Sequence, residues 1–215
     1  MESANERLLV DCGPDLREQL LAADVNRLDA VIVTHVHGDH CHGIDELRPV
    51  SQAVGHPVRL YGRPDVLDEL KLRFGYVFGQ SDFYRPIAEA RALPDCLFIG
   101  RSAVRFVDQP HGSQTALGLR FDEGEKSAAY AVDFNALNAE MATLYENVDV
   151  WIADCLTRTP HPTHMHLDGL LGMARELRAG QLYLTHMGNS LDYRTLAAEL
   201  PDWAAPAYDG LEIAL

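Results

Sequence analysis

Short apolar runs alternate with segments of helical periodicity along most of this chain. The run at residues 28–34, LDAVIVT, is continuous and rich in β-branched residues, which is typical of a buried strand. The pattern predicts strands at residues 7–12, 28–34, 58–61, 103–107, 116–121, 128–132, 148–154 and 181–185. It predicts helices at residues 16–22, 43–50, 65–73, 137–146, 167–178 and 193–200. Because hairpins and crossovers are mixed, the expected fold class is α/β, with sheets packed between helices.

One segment, residues 74–87, breaks this regular pattern. It carries five aromatic residues and two glycines without a clear period. Two interpretations stay open: an ordinary surface loop with some core contacts, or an aromatic lid over a pocket. No repeat, linker or low-complexity block interrupts the rest, so we expect a single domain over residues 1–215.

The composition narrows the function classes. A formal net charge of -14 argues against broad binding of nucleic acid or of an anionic membrane. None of the four cysteines lies in a C-x-x-C pair, which disfavours a cysteine-based zinc ribbon or redox motif. Scattered cysteines fit a reducing compartment, and no signal peptide or membrane span is recognisable, so a cytoplasmic location is expected.

A dense cluster of histidines follows the strand predicted at residues 28–34. His35 and His37 are two residues apart in extended chain, so they share a face and can chelate one ion together. A turn at Gly38 then lets Asp39 and His40 face a second ion. Imidazole and carboxylate groups suit zinc, manganese or iron. Such density favours a metal site over four unrelated structural side chains.

The pattern His-x-His-x-Asp-His resembles the signature of the metallo-β-lactamase superfamily, and most of the chain follows that family's order of elements. The resemblance implies an αββα sandwich and a site for two divalent ions, Zn²⁺ or Mn²⁺. It implies further ligands at later strand ends, where His111, Asp133 and His186 match. Under this resemblance the first ion is bound by His35, His37 and His111, the second by Asp39, His40 and His186, and Asp133 bridges both.

Two neighbouring cations would lower the pKa of a bridging water, and the resulting hydroxide would be the nucleophile. Asp11 and Asp45 are candidates to orient the ligating imidazoles, with helix-capping or turn roles as the alternative. His37 stands where flavodiiron oxygen reductases carry Glu, which disfavours a redox di-iron centre. Asp133 stands where many true β-lactamases carry Cys, so the chain looks like the phosphodiesterase, nuclease and glyoxalase II branches.

A second histidine-rich segment sharpens the resemblance. The run TPHPTHMHL at residues 159–167, followed by LYLTH at residues 182–186, resembles the phosphoribosyl 1,2-cyclic phosphate phosphodiesterase family of the carbon–phosphorus lyase pathway. In that family the histidine matching His164 lies beside the metals as general acid or phosphate contact. Asp39 and His164 are therefore the expected catalytic residues, with His166 as a weaker candidate. A polar loop before a helix is the alternative for both histidines.

The predicted function is hydrolysis of a small cyclic phosphate or phosphodiester. One alternative is an RNA-processing nuclease, but that branch uses a basic arm to bind RNA, and we find no such arm in the sequence. A second alternative is a non-catalytic metal-binding protein. A thioesterase of the glyoxalase II type is a minor third alternative. Relatives usually carry further strands before the segment that matches residues 8–11, so the first sheet is expected to lack strands. An exposed sheet edge is a liability unless another chain covers it, and a homodimer is one assembly that would do so.

Overall fold

In the computed structural model, which describes residues 1–79 and 83–215, the chain forms two units of mixed strand and helix. The first unit is Met1–Arg101 and the second is Ser102–Leu215. The α/β fold class expected from the sequence is thereby confirmed. The single domain expected over residues 1–215 stays a prediction.

The first unit is built on a five-stranded sheet in the order β1-β2-β3-β4-β5. Strands β2 to β5 are parallel, and β1 joins β2 as an antiparallel hairpin. The strands are β1 (Glu2–Ser3), β2 (Glu6–Val10), β3 (Ala30–Ile32), β4 (Val58–Gly62) and β5 (Ala88–Ala92), and β6 (Leu97–Ile99) follows them. The helices are α1 (Leu16–Ala22), α2 (Gly38–Cys41), a 3-10 turn (Ile44–Glu46), α3 (Leu47–Val54), α4 (Pro64–Arg73) and α5 (Gly75–Phe78). Parallel neighbours need crossover connections, which α1, α3 and α4 supply.

The second unit carries strands in the order β12-β11-β10-β9-β8-β7. Strands β9 to β12 are parallel, whereas β7, β8 and β9 form an antiparallel meander. The strands are β7 (Ser102–His111), β8 (Gln114–Glu123), β9 (Lys126–Ala131), β10 (Val150–Asp154), β11 (Gln181–Thr185) and β12 (Ala204–Pro206). The helices are α6 (Ala139–Tyr145), α7 (Leu167–Glu176) and α8 (Tyr193–Glu199).

Most predicted elements are present, with shifted ends. The strand predicted at residues 28–34 is observed only as Ala30–Ile32, because the Thr34 amide donates to the Asp11 carboxylate instead of continuing the ladder. The sequence pattern missed β1, β5, β6, β12, α2 and α5. These elements are short, and β5 and β12 are rich in alanine, so they carry little strand signal of their own.

The aromatic segment at residues 74–87 is partly helical. Helix α5 buries Val77, whereas Phe83 and Tyr84 are 88% and 69% exposed. Residues 80–82 lie outside the described part of the chain, and the lid stays a prediction. In that described part, no helix is both long and apolar enough to cross a bilayer.

A buried polar network supports the strand end that leads to Asp133. The Tyr145 hydroxyl donates to Gln109 Oε1 at 2.8 Å, and Gln109 Nε2 donates to the backbone oxygen of Val132 at 2.9 Å. Burial raises the pKa of Tyr145 well above its ordinary value, so the phenol stays neutral. Gly118 on β8 makes room for this network, because a Cβ there would overlap the Tyr145 hydroxyl oxygen and lie 2.6 Å from Gln109 Oε1.

We therefore expect Gly118→Ala to destabilise the protein by about 3 kcal/mol, through steric overlap and loss of buried hydrogen bonds. The measurement is chemical denaturation followed by circular dichroism. Gly172→Ala is the matched control: a Cβ there meets no described atom within 4 Å, and alanine inside α7 should stabilise by about 0.5–1 kcal/mol. Equal free energies of unfolding for the two variants would contradict this account.

Candidate metal centre

The histidine cluster of the first unit begins just beyond the end of β3. His35 and His40 are buried, His37 is half-buried and Asp39 is exposed. His35 Nε2 lies 3.0 Å from His37 Nδ1, and the ring centroids of His35 and His40 are 4.2 Å apart. The strand end and the short helix α2 therefore bring three imidazoles into contact.

Asp11, the residue after β2, anchors this cluster. Its carboxylate accepts hydrogen bonds from the Thr34 amide at 2.7 Å, the Thr34 hydroxyl at 2.9 Å and His40 Nδ1 at 2.6 Å. An ionised carboxylate only accepts, so the Nδ1 of His40 carries the proton and its Nε2 points the other way. That Nε2 lies 3.3 Å from Asp39 Oδ2. Asp11 thus holds one imidazole in a single tautomer and orientation.

Two glycines, Gly13 and Gly43, allow the segment around α2 to pack closely against residues 12–13, which lead from β2 into α1. A Cβ at Gly13 would overlap the backbone oxygen of Asp39, and a Cβ at Gly43 would overlap the backbone oxygen of Gly13. Backbone bonds fill this narrow space: the Cys12 amide donates to the His40 oxygen, and the Gly43 amide donates to the Cys12 oxygen, both at 2.8 Å. The ends of the histidine run are therefore fixed by main-chain contacts.

Asp45 is an exposed residue of the 3-10 turn and does not lie beside an imidazole in the described part of the chain. Its Oδ2 accepts from the Tyr76 hydroxyl at 2.6 Å, and this hydrogen bond raises the pKa of the Tyr76 phenol. Among the residues that the structure describes, no contact with histidine supports the orienting role expected for Asp45.

Four strands of the second unit present imidazole or carboxylate groups at one edge. β7 ends at His111 and β10 ends at Asp154, while Asp133 and His186 follow β9 and β11. β9, β10 and β11 are parallel, and β7 points the same way because β8 runs antiparallel to both of its neighbours. The carboxyl ends of these strands therefore meet at the same edge of the sheet, where ligands bind in α/β proteins.

The buried carboxylate of Asp133 lies between two imidazoles. Its Oδ2 is 3.4 Å from His111 Nε2, and its Oδ1 is 3.4 Å from His186 Nε2. His111 donates from Nδ1 to the backbone oxygen of Thr163 at 2.8 Å, which fixes its tautomer and turns Nε2 towards Asp133.

These spacings fit a metal ion. Two ligand atoms that are each about 2.1 Å from a tetrahedral ion lie about 3.4 Å from one another. The pairs His111–Asp133 and His186–Asp133 have this separation, and the His40–Asp39 pair of the first unit is at 3.3 Å. Nitrogen and carboxylate donors suit Zn²⁺ and Mn²⁺. The residues of each unit therefore fit divalent metal binding.

Asp154 is a member of the site that the sequence reasoning missed. It is completely buried, and its Oδ2 accepts from His164 Nδ1 at 2.8 Å and from the Met165 amide at 3.4 Å. Its Oδ1 lies 3.7 Å from His186 Nδ1, without a hydrogen bond to any described residue. The sequence did contain an indication of this role, because Asp154 lies at the end of an apolar strand, in a position similar to that of Asp133.

His164 lies among the predicted ligands of the second unit. Its ring stacks on His186, with centroids 4.9 Å apart and planes inclined by 15°, and meets the His111 ring edge-on at 4.9 Å. The ring centroids of His161 and His164 are 5.4 Å apart. One donor atom from each of Asp133, Asp154, His164 and His186 lies within 4.8 Å of the others.

His166 is placed differently from His164. It precedes the first turn of α7, and a Cβ at Gly169 would lie 2.6 Å from its Cε1. Within residues 1–79 and 83–215, His166 has none of the ring contacts that tie His164 to the predicted ligands.

Three buried thiols lie in the same segments as these clusters. Burial, with the nearby Asp11 carboxylate, raises the pKa of the Cys12 thiol, and burial also raises that of Cys41. Burial together with Asp154 raises the pKa of Cys155 to about 12. The thiolate is the form that binds metals, so these shifts leave imidazoles and carboxylates as the natural donors.

Known proteins resemble nearly the whole chain. A family model described as a beta-lactamase superfamily domain matches residues 6–187. The solved structure of a diphosphatase from the PhnP family is 30% identical with a TM-score of 0.88, and the match covers 98% of this chain and 80% of that one.

Two curated relatives match over different lengths. An octanoyltransferase from Porphyromonas gingivalis is 28% identical over 214 residues, and the match covers 97% of this chain but 42% of the relative. A ribonuclease Z from Crocosphaera subtropica is 39% identical over 67 residues, which is 29% of this chain and 22% of the relative. The chain therefore spans less than half the length of these relatives. Because the family model covers most of its residues, the chain belongs to the beta-lactamase superfamily, and the metallo-β-lactamase fold expected from the histidine signature is confirmed.

Proposed function

We propose that this chain is a metal-dependent hydrolase that cleaves a small cyclic phosphate or phosphodiester. Its cofactors would be two divalent ions, Zn²⁺ or Mn²⁺. The proposed ligands are those implied by the family pattern: His35, His37 and His111 for one ion, Asp39, His40 and His186 for the other, and Asp133 for both. The choice of a phosphodiester rests on the position of His164. Its ring stacks on His186 and is held by a hydrogen bond to the buried carboxylate of Asp154.

When bound, such ions would neutralise phosphate oxygens and lower the pKa of a coordinated water towards neutrality. The protein's own part is orientation. Asp11 and the Thr163 carbonyl accept the Nδ1 protons of His40 and His111, so the Nε2 atoms of these two rings face the acidic ligands. Because the tautomers and ring orientations are already fixed, these side chains need not reorganise when the substrate binds.

His164 is the proposed proton donor. An alkoxide is a poor leaving group and needs a proton as the bond to phosphorus breaks. Asp154 accepts from His164 Nδ1 and would stabilise the imidazolium, whose second proton would pass from Nε2 to the departing oxygen and leave a neutral ring with its proton on Nδ1. The same hydrogen bond prevents the ring from rotating away, as the aspartate does in a serine protease triad.

The PhnP-family relative adds support for a phosphorus substrate, since it is described as a diphosphatase. A phosphoanhydride is therefore a further substrate to test. An RNA-processing nuclease is the second candidate, which the local identity to ribonuclease Z favours. The net charge of -14 opposes it, because a long polyanion would be repelled along the surface.

We expect the metal-loaded protein to hydrolyse bis(p-nitrophenyl) phosphate and nucleoside 2′,3′-cyclic phosphates. Chelation should abolish turnover, and Zn²⁺ or Mn²⁺ should restore it. Elemental analysis should find about two ions per chain. Less than one ion per chain, with unchanged folding after chelation and no turnover, would favour a non-catalytic metal-binding protein. Salt-sensitive RNA binding with cleavage would favour the nuclease.

The second test concerns His164 and the leaving group. His164→Ala should lower kcat on a cyclic phosphate, whose leaving group is an alkoxide, by about 10²- to 10⁴-fold. The loss on bis(p-nitrophenyl) phosphate should be much smaller, because nitrophenolate departs without a proton. His166→Ala is the matched control and should leave both rates unchanged. Equal losses on both substrates for His164→Ala would contradict a general-acid role.

Asp154→Asn provides the third test. The neutral amide would no longer stabilise the doubly protonated imidazolium that donates from His164 Nε2, so kcat on the cyclic phosphate should fall about as far as in His164→Ala. The double variant should lose little more than either single variant, because the two side chains act as one unit. Asp149→Asn, which alters hydrogen bonds to Ser127, is the control for general effects of the change. Additive losses would show that Asp154 acts independently of His164.

A further inference from the structure

A cavity of about 320 Å³ opens on the first unit between α3 and the segment that leads into β5. Arg48, Ser51, Gln52 and Gly55 form one wall, and their spacing of three and four residues places them on one face of α3. Residues 83–87 form the opposite wall. The cavity is therefore built from a polar helix face and from the aromatic segment that the sequence singled out.

This cavity is separate from the histidine cluster of the same unit. His56 and Pro57 line it and precede β4, and residues 83–87 precede β5. His35, in contrast, follows the end of β3. Because β3, β4 and β5 are parallel, the starts of two strands and the end of the third lie at opposite edges of the sheet.

Its side chains combine positive charge with flat apolar surface. Arg48 and Arg85 both line the cavity. Guanidinium groups bind phosphate through two parallel hydrogen bonds. Phe83 and Tyr84 expose most of their rings at its rim, and such rings are surfaces on which nucleobases stack. In a chain with a net charge of -14, this is a local site for an anion.

We propose that the cavity binds a nucleoside monophosphate, with the phosphate on Arg48 and Arg85 and the base on Tyr84. The volume lies at the lower end of the range for ligand pockets, about 300–1,000 Å³, which suits one nucleotide better than a dinucleotide or an oligomer. The acidic surface further disfavours a longer polyanion. This site is independent of the proposed hydrolysis, since its residues include none of the predicted metal ligands.

The test is isothermal titration calorimetry with AMP, adenosine and inorganic phosphate on the metal-loaded protein. AMP should bind about tenfold more tightly than either fragment. The double variant Arg48→Ala/Arg85→Ala should weaken AMP binding about tenfold or more, and Tyr84→Ala should weaken it by a similar factor, whereas Tyr84→Phe should retain it. Arg17→Ala, on the exposed face of α1, is the matched control and should change nothing.

Three results would overturn the proposal: no AMP binding, AMP binding no tighter than that of phosphate, or AMP binding unchanged in the double variant. The last result would place the nucleotide at the histidine cluster. Turnover of bis(p-nitrophenyl) phosphate should be equal in all these variants and the unaltered protein. If the protein does not hydrolyse phosphodiesters, AMP binding can still be measured by calorimetry. The two proposals can therefore be tested and rejected independently.

Discussion

The burial of carboxylates at strand ends is the constraint on which the rest of this structure depends. Among residues 1–79 and 83–215, three aspartates are buried in this way: Asp11, Asp133 and Asp154. A buried carboxylate is costly unless hydrogen-bond donors or cations face it. Each of the three faces at least one imidazole, so the contacts that make their burial tolerable are the contacts that orient the histidines. Removing one partner would leave an uncompensated charge as well as a misplaced ligand.

Two of these aspartates and one histidine also have a strained backbone. Asp11, Asp133 and His186 have φ angles of 62°, 57° and 56°, in the left-handed region that costs a residue with a side chain about 1–2 kcal/mol. Each follows a strand of a parallel set. Such strain persists only where the surroundings determine the conformation, and the three hydrogen bonds accepted by the Asp11 carboxylate show how this is achieved. At Asp11, the hydrogen bonds that orient the carboxylate therefore also stabilise the strained turn at the end of the strand.

The sequence predicted the parts of the fold and site that are local in the chain. Periodicity placed α1 at residues 16–22 and β11 at residues 181–185, the bounds that are observed, and one compact motif identified the histidine cluster. The sequence could not show whether Asp11 or Asp45 contacts an imidazole. Both are aspartates near the cluster, but which of them meets an imidazole depends on the pairing of β2 with β3, a contact between residues more than twenty positions apart.

Asp154 was missed for a related reason. An aspartate at the end of a strand is common, and its partner His164 follows ten positions later in an irregular loop, so no periodic pattern joins the two. The strands β5 and β12 were missed because alanine-rich segments become strands through their neighbours and not through their own propensity. Local pattern therefore finds the proposed metal ligands and offers Asp11 as one candidate to orient them, whereas the choice of Asp11 over Asp45 and the role of Asp154 follow from tertiary contacts.

An acidic protein and an anionic substrate are compatible if the positive charge comes from bound cations. Screening limits the repulsion from surface carboxylates to about 8–10 Å at physiological salt. A small phosphodiester would meet this repulsion only on its approach, and two divalent ions would then outweigh it. A long strand would meet this repulsion from the acidic surface along its whole length. Under the proposed function, the charge distribution that excludes polymers thus becomes a basis for selecting small phosphates.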